Sequence, residues 1–163
     1  MVDNNESVAR ELGVTALLTV ENLSIGFGGD APVVEDVRFT VEAGPTLALV
    51  GARGSGKTVR CRSALRILTA AAQVRSGSIV LCDREGGHPV DLMSLSERKM
   101  QDVRGNRISM IFQEPMRSLS PLHRIGNQVS EALKLHRDFS ATERKKRLLA
   151  MFERVGFVDP ARV

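Results

Sequence analysis

The sequence predicts an α/β fold, a phosphate-loop core followed by helices. Three observations carry this. A short apolar run at 46–50 (TLALV) leads straight into Gly51-Ala52-Arg53-Gly54-Ser55-Gly56-Lys57-Thr58, and behind it Cys61, Ala64, Leu65 and Leu68 recur at helical spacing. On either side of that unit, apolar residues alternate with polar ones, as half-buried strands require. Towards the end of the chain the period changes to that of amphipathic helices.

Each element has its own reason. Residues 1–15 read as a polar leader without clear periodicity. Leu18 and Val20, then Leu23, Ile25 and Phe27 after a polar break, alternate as on a strand. Gly28, Gly29, Asp30 and Pro32 mark a turn, Val37, Phe39 and Val41 a second strand, and Ala43-Gly44-Pro45 another turn. The run at 46–50 suits a strand buried on both faces of a sheet. In the helix behind the loop, Arg60, Arg62 and Arg66 fall mostly off the apolar stripe. After small residues at 69–72, SGSIVL (76–81) reads as a strand and GGHPVDL (86–92) as a turn into another extended piece.

Ser94 and Glu97 stand at capping-box spacing, which predicts a short charged helix over 95–103. RISMIF at 107–112 predicts a further strand, and QEPMRSLSP (113–121) a loop bracketed by Pro115 and Pro121. Two helices are expected beyond it. One covers 125–136; the other is capped by Ser140 with Glu143 three residues on, carries Leu148, Leu149, Phe152 and Val155 on one face, and stops at Gly156 before Pro160.

Composition narrows the function. With 42% hydrophobic and 26% charged residues among 163, the chain has material for one packed domain, which excludes disordered and collagen-like classes. Cys61 and Cys82 have no metal-ligand spacing and read as two reduced thiols. A formal charge of +4 favours anionic partners, but no Trp, no Tyr and six Phe leave little to stack on bases, so nucleic acid is not the expected partner. The N-terminus, MVDNNESVARELG, is acidic and polar where a secretory signal is basic and then apolar. The longest apolar stretches, at 12–20 and 46–50, are far short of the ~20 residues of a membrane helix.

The octapeptide from Gly51 to Thr58 fits the phosphate-binding pattern GxxxxGK[ST] at every fixed position. Glycines let the backbone curl until successive N–H groups face one anion, and the helix behind adds the positive end of its dipole. Lys57 would reach the β- and γ-phosphates, and the Thr58 hydroxyl would hold the Mg²⁺ that bridges them. Hydrolysis needs in addition a carboxylate at the end of a second apolar strand and a group that orients water. Two places offer one: Asp83 after Ile79-Val80-Leu81-Cys82, better read as the end of a peripheral hairpin, and Glu114 after Ile111-Phe112-Gln113.

Taken together, the apolar strand, GARGSGKT and MIFQEPMRSLSP some fifty residues later resemble the ATP-binding subunit of an ABC transporter. The QEPM…SLSP stretch and the following IGNQVSEALKLH are similar to the oligopeptide/dipeptide/glutathione importer branch, and the resemblance runs from about Leu17 to the end of the sequence. It implies the ABC type of P-loop ATPase core, with an antiparallel β subdomain, over 16–113, and the start of a helical subdomain over 114–163. It implies ATP and Mg²⁺ as cofactors, with Phe27 stacking on adenine, Gly51, Ala52, Arg53, Gly54, Ser55, Gly56, Lys57 and Thr58 wrapping the phosphates, and Gln113 touching Mg²⁺ or the attacking water. The implied partners are membrane-spanning permease subunits, a second ATP-binding subunit and, indirectly, a solute-binding protein. The implied place is the cytoplasmic face of the membrane, held through the permease.

The departures are specific. Ala52-Arg53 stands where the resembling proteins usually have Glu-Ser, Pro45 where they often have Glu, and Ser120 where they have Asn. The sequence through Val163 contains no Leu-Ser-Gly-Gly-Gln signature, no carboxylate-ended strand behind it and no switch His, and His88, His123 and His136 do not replace that His. The chain is therefore expected to bind nucleotide at most. The alternatives are a fragment without function and a small self-contained P-loop kinase or GTPase using Asp83 or Glu114.

Overall fold

The structure, a computed structural model, describes residues 16–29, 31–82 and 88–162. These fall into two compact units, Met1–Met100 and Gln101–Val163.

The first unit is organised by an antiparallel sheet of order β2-β1-β3-β4, with β1 at Ala16–Phe27, β2 at Pro32–Glu42, β3 at Ala72–Leu81 and β4 at Val90–Asp91. The polar break in β1 is a bulge. Asn22 takes a left-handed φ of 49°, and the register with β2 shifts between Val20 and Leu23. The extra residue returns Leu23 and Ile25 to the same side as Val20, and all three are buried with Val34, Ile79 and Leu81. Gly77 sits across the bulge at φ +101°, where a Cβ would lie 2.6 Å from the Glu21 carbonyl oxygen.

Helix α1 (Lys57–Ala64) follows the glycine-rich loop and buries Ser63 and Ala64. Its apolar stripe predicts a helix to Leu68, but it stops at Ala64 in a Schellman motif: Arg66 N–H donates to Ser63 O at 2.9 Å and Ile67 N–H to Arg62 O at 3.1 Å. Arg66 takes the left-handed position, at φ 52°, that glycine usually fills. Its guanidinium is anchored on the Leu95 carbonyl at 2.5 Å, and Glu97 lies at 4.0 Å. That anchor is long-range, so no local residue signals the stop.

A short helix α2 (Glu97–Val103) carries the chain across the division between the units. Its cap is Ser96 rather than Ser94: Ser96 Oγ accepts from Lys99 N–H at 3.4 Å, while the Ser94 hydroxyl donates to the Asp91 carbonyl. Two N–H groups of the strand exit, Met93 and Ser94, are already taken by Asp91, which delays the helix by two residues.

In the second unit, α3 (Ile125–His136) and α4 (Ala141–Arg154) pack on each other, preceded by a 3₁₀ turn at Pro115–Ser118. Ser140 Oγ accepts from Glu143 N–H at 3.2 Å, as the capping box requires. Gly156, at φ +90°, closes α4: its N–H reaches Glu153 O, Phe157 N–H reaches Phe152 O, and the two phenyl rings meet at 5.0 Å. Of the expected apolar face, Phe152 is 4% exposed, whereas Val155 at the helix end is 65% exposed.

Two predicted strands are not strands. Residues 46–50 have no regular structure, and Val50 is 90% exposed. Residues 107–112 form only one isolated bridge, Ile108 to Arg104, and Ile111 is 93% exposed. The physical reason is shared: a strand needs a ladder partner, and none of the described strands pairs with either segment. Among the described residues no helix is long and apolar enough to cross a membrane.

Candidate functional site

The octapeptide Gly51 to Thr58 forms a tight loop closing on the start of α1. Ser55 N–H donates to Ala52 O at 3.2 Å, and Gly54 at φ +83° occupies the third position of that turn. Gly56, at φ +79°, is the N-cap of α1 and offers no side chain to the first-turn amides. Those N–H groups are thus left for an anion, at the positive end of the helix. The first helical bond runs from Arg60 N–H to Gly56 O at 3.0 Å.

Close packing demands two of the glycines. A Cβ on Gly51 would lie 2.6 Å from Ser55 Oγ, and one on Gly56 would lie 2.7 Å from Val34 Cγ2. The second contact seats the loop on β2. Because Val34 pairs with Ile25, two residues before Phe27, the loop leans on the end of the β1–β2 pair that carries Phe27.

Lys57 opens α1 and turns back over the loop. Its Nζ donates to Gly51 O at 2.7 Å, to Ala52 O at 2.8 Å and to Ser55 Oγ at 3.3 Å. All three ammonium protons are thereby used inside the loop. Arg53 and Thr58 are exposed.

Phe27 ends β1 opposite Ala72 and is 39% exposed, so its ring is not a core ring. The neighbouring Gly26 lies under the Arg75 guanidinium, which donates to the Gly29 carbonyl. Gln113 belongs to the second unit, exposed, two residues before the 3₁₀ turn that starts at Pro115. Glu114 is exposed beside it, and Asp83 lies outside the described residues. Among the described residues no three His, Cys, Asp or Glu side chains gather as metal ligands.

Sequence reasoning passes over Gln128. Its Oε1 accepts from Ser120 N–H at 2.8 Å, and its Nε2 donates to Ser120 O at 3.0 Å and His123 O at 2.9 Å. One side-chain amide thus fixes the segment between Gln113 and α3 to the helix itself. A glutamine on the polar side of a helix gives no local signal of such a role.

The family profile described as "ABC transporter" matches residues 34–163. The chain is 43% identical over 150 residues to an uncharacterized ABC transporter ATP-binding protein, YejF, of Escherichia coli, covering 90% of this chain and 27% of that protein. It is 40% identical over 151 residues to the oligopeptide transport ATP-binding protein OppD of Bacillus subtilis, covering 90% and 40%. It is 41% identical over 150 residues to a probable peptide ABC transporter ATP-binding protein, y4tR, of Sinorhizobium fredii, covering 90% and 43%. This chain belongs to the ABC transporter family. It spans between about a quarter and just under half of the length of these curated relatives.

Proposed function

We propose that this chain is the nucleotide-gripping part of an ABC ATP-binding subunit that energises import of peptides or a similar small solute. The observation that carries the reading is the folded phosphate loop, with its glycines at the turns and an uncapped helix start behind it. The names of the relatives, which are peptide and oligopeptide transport ATP-binding proteins, support the solute class.

In this reading the loop amides and Lys57 hold the ATP phosphates, and the residues that would hold Mg²⁺ are Thr58, through its hydroxyl oxygen, and Gln113, which would contact the metal or the water. Phe27 supplies a face for adenine; its exposure beside the loop favours this over a core role. The residues present fit the cofactor: a lysine, a hydroxyl beside it and a backbone free to curl. Mg²⁺ held there would neutralise charge on the phosphates. The partners are permease subunits and a second ATP-binding subunit, and the chain is peripheral to the membrane at its cytoplasmic face.

Thermal unfolding with Mg-ATP, and with ATP plus a chelator, tests the metal part. The full chain should be stabilised more by Mg-ATP, and Thr58→Ala should remove the difference. An equal response with and without Mg²⁺ would overturn the assignment of Thr58.

A further inference from the structure

Arg53 holds one of the four loop positions, 52–55, that the phosphate pattern leaves unspecified, and it is the charged residue among them. It occupies the second position of the Ala52–Ser55 turn, before Gly54 at φ +83°, which sets it at the outer corner of the loop tip. It is exposed, and no hydrogen bond or ion pair holds it among the described residues.

Of the other basic residues near it in sequence, Arg60 and Arg62 are half-buried on α1, and the remaining three are bonded. Lys57 is bonded to three oxygens of the loop, Arg66 to the Leu95 carbonyl and Arg75 to the Gly29 carbonyl. The sequence from 43 to 82 contains six basic residues, Arg53, Lys57, Arg60, Arg62, Arg66 and Arg75, and no Asp or Glu. No carboxylate in this stretch competes for the Arg53 guanidinium or cancels its field.

Resting on the nucleotide reading above, we propose that Arg53 is a specificity residue of this site: its guanidinium pairs with the terminal phosphate of a bound triphosphate. A planar guanidinium offers two parallel N–H donors that match phosphate oxygens, which an ammonium does not. The loop amides enclose the nearer phosphates, so the flexible cation at the tip is left for the phosphate that protrudes furthest. In a diphosphate the terminal phosphate is one the amides already enclose. Arg53 therefore separates triphosphate from diphosphate, while the amides and Lys57 serve both.

The test is equilibrium binding of Mg-ATP, Mg-ADP and inorganic tripolyphosphate to the full chain and to Arg53→Ser, Arg53→Lys and Lys57→Ala, each checked for native circular dichroism. Arg53→Ser should weaken ATP and tripolyphosphate about tenfold and change ADP by less than about twofold, with Arg53→Lys in between. The salt dependence of ATP binding should become shallower in Arg53→Ser. Equal losses for ATP and ADP, or no loss for either, would overturn the proposal and leave Arg53 a solvated corner. A loss for ATP alone, with tripolyphosphate unaffected, would place Arg53 on the nucleoside and also overturn it. If the unaltered chain binds none of the three ligands, the nucleotide reading itself fails, and this one with it.

Discussion

The Nζ of Lys57 lies 2.7 Å from the carbonyl oxygen of Gly51, six residues earlier, so the loop is closed by its own lysine. The contact draws the exit of the 46–50 segment against the first turn of α1. On the function proposed above, an incoming phosphate would meet a backbone that is already curved, and the lysine would only have to exchange carbonyl partners for phosphate oxygens. Preorganisation of this kind lowers the ordering cost of binding.

Gly51 should be intolerant of a side chain for a local reason. A Cβ there would meet Ser55 Oγ at 2.6 Å, within the loop rather than in a core. Gly51→Ala should cost nucleotide affinity about tenfold or more while shifting stability by less than about 1 kcal/mol. Adding Ser55→Ala, which removes the obstructing oxygen, should restore part of the affinity. Titration with ATP checks both variants.

Arg66 holds a left-handed backbone and a long-range contact at once, and two substitutions separate them. Arg66→Ala loses the bond to the Leu95 carbonyl and keeps the φ of 52°; Arg66→Gly loses the bond and relieves the backbone. Urea unfolding should find Arg66→Ala the less stable of the two by about 1 kcal/mol. Equal stabilities would mean that the left-handed turn is not retained.

Gly77→Ala should be the most damaging single methyl in the sheet. At φ +101° the new carbon would lie 2.6 Å from both the Glu21 oxygen and the Leu23 Cα, which are backbone and cannot swing aside. A loss of about 3 kcal/mol or more follows from strain and overpacking together. Circular dichroism during urea unfolding reads it.

At the other end of the chain, Gly156→Ala and Phe157→Ala dissect one cap. Nothing lies within 4 Å of a Cβ on Gly156, so that variant pays only for its φ of +90°, about 1 kcal/mol. Phe157→Ala removes the ring that meets Phe152 at 5.0 Å and should cost about 2 kcal/mol. In both, exchange of the backbone amide at position 157, which donates to the Phe152 carbonyl, should accelerate.

What was legible in the sequence divides along the range of the forces involved. Helix α3 begins and ends where its pattern predicts, and α4 starts at its capping box, because caps and periodicity act over a few residues. The bulge in β1 was legible as a polar break between two alternating runs. The stop of α1 was not, because it depends on Arg66 reaching a carbonyl 29 residues away. The segments at 46–50 and 107–112 mislead for a different reason. Their composition is that of buried strands, but strand formation belongs to a pair, and an apolar run with no ladder partner remains exposed chain. Within the candidate site, the loop's residues were legible from the motif, whereas the partners of Lys57 and the contact of Gly56 with Val34 required coordinates.

The central claim is that the loop from Gly51 to Thr58 binds nucleoside triphosphate through Lys57, and thermal unfolding of the full chain and Lys57→Ala, each with and without Mg-ATP, tests it most directly. At a hundredfold excess over Kd, ATP should stabilise the unaltered chain by about 2.7 kcal/mol, a rise of about 5–10 °C in Tm, and should leave Lys57→Ala within about 1 °C of its unliganded value. An equal rise in both proteins would contradict the account.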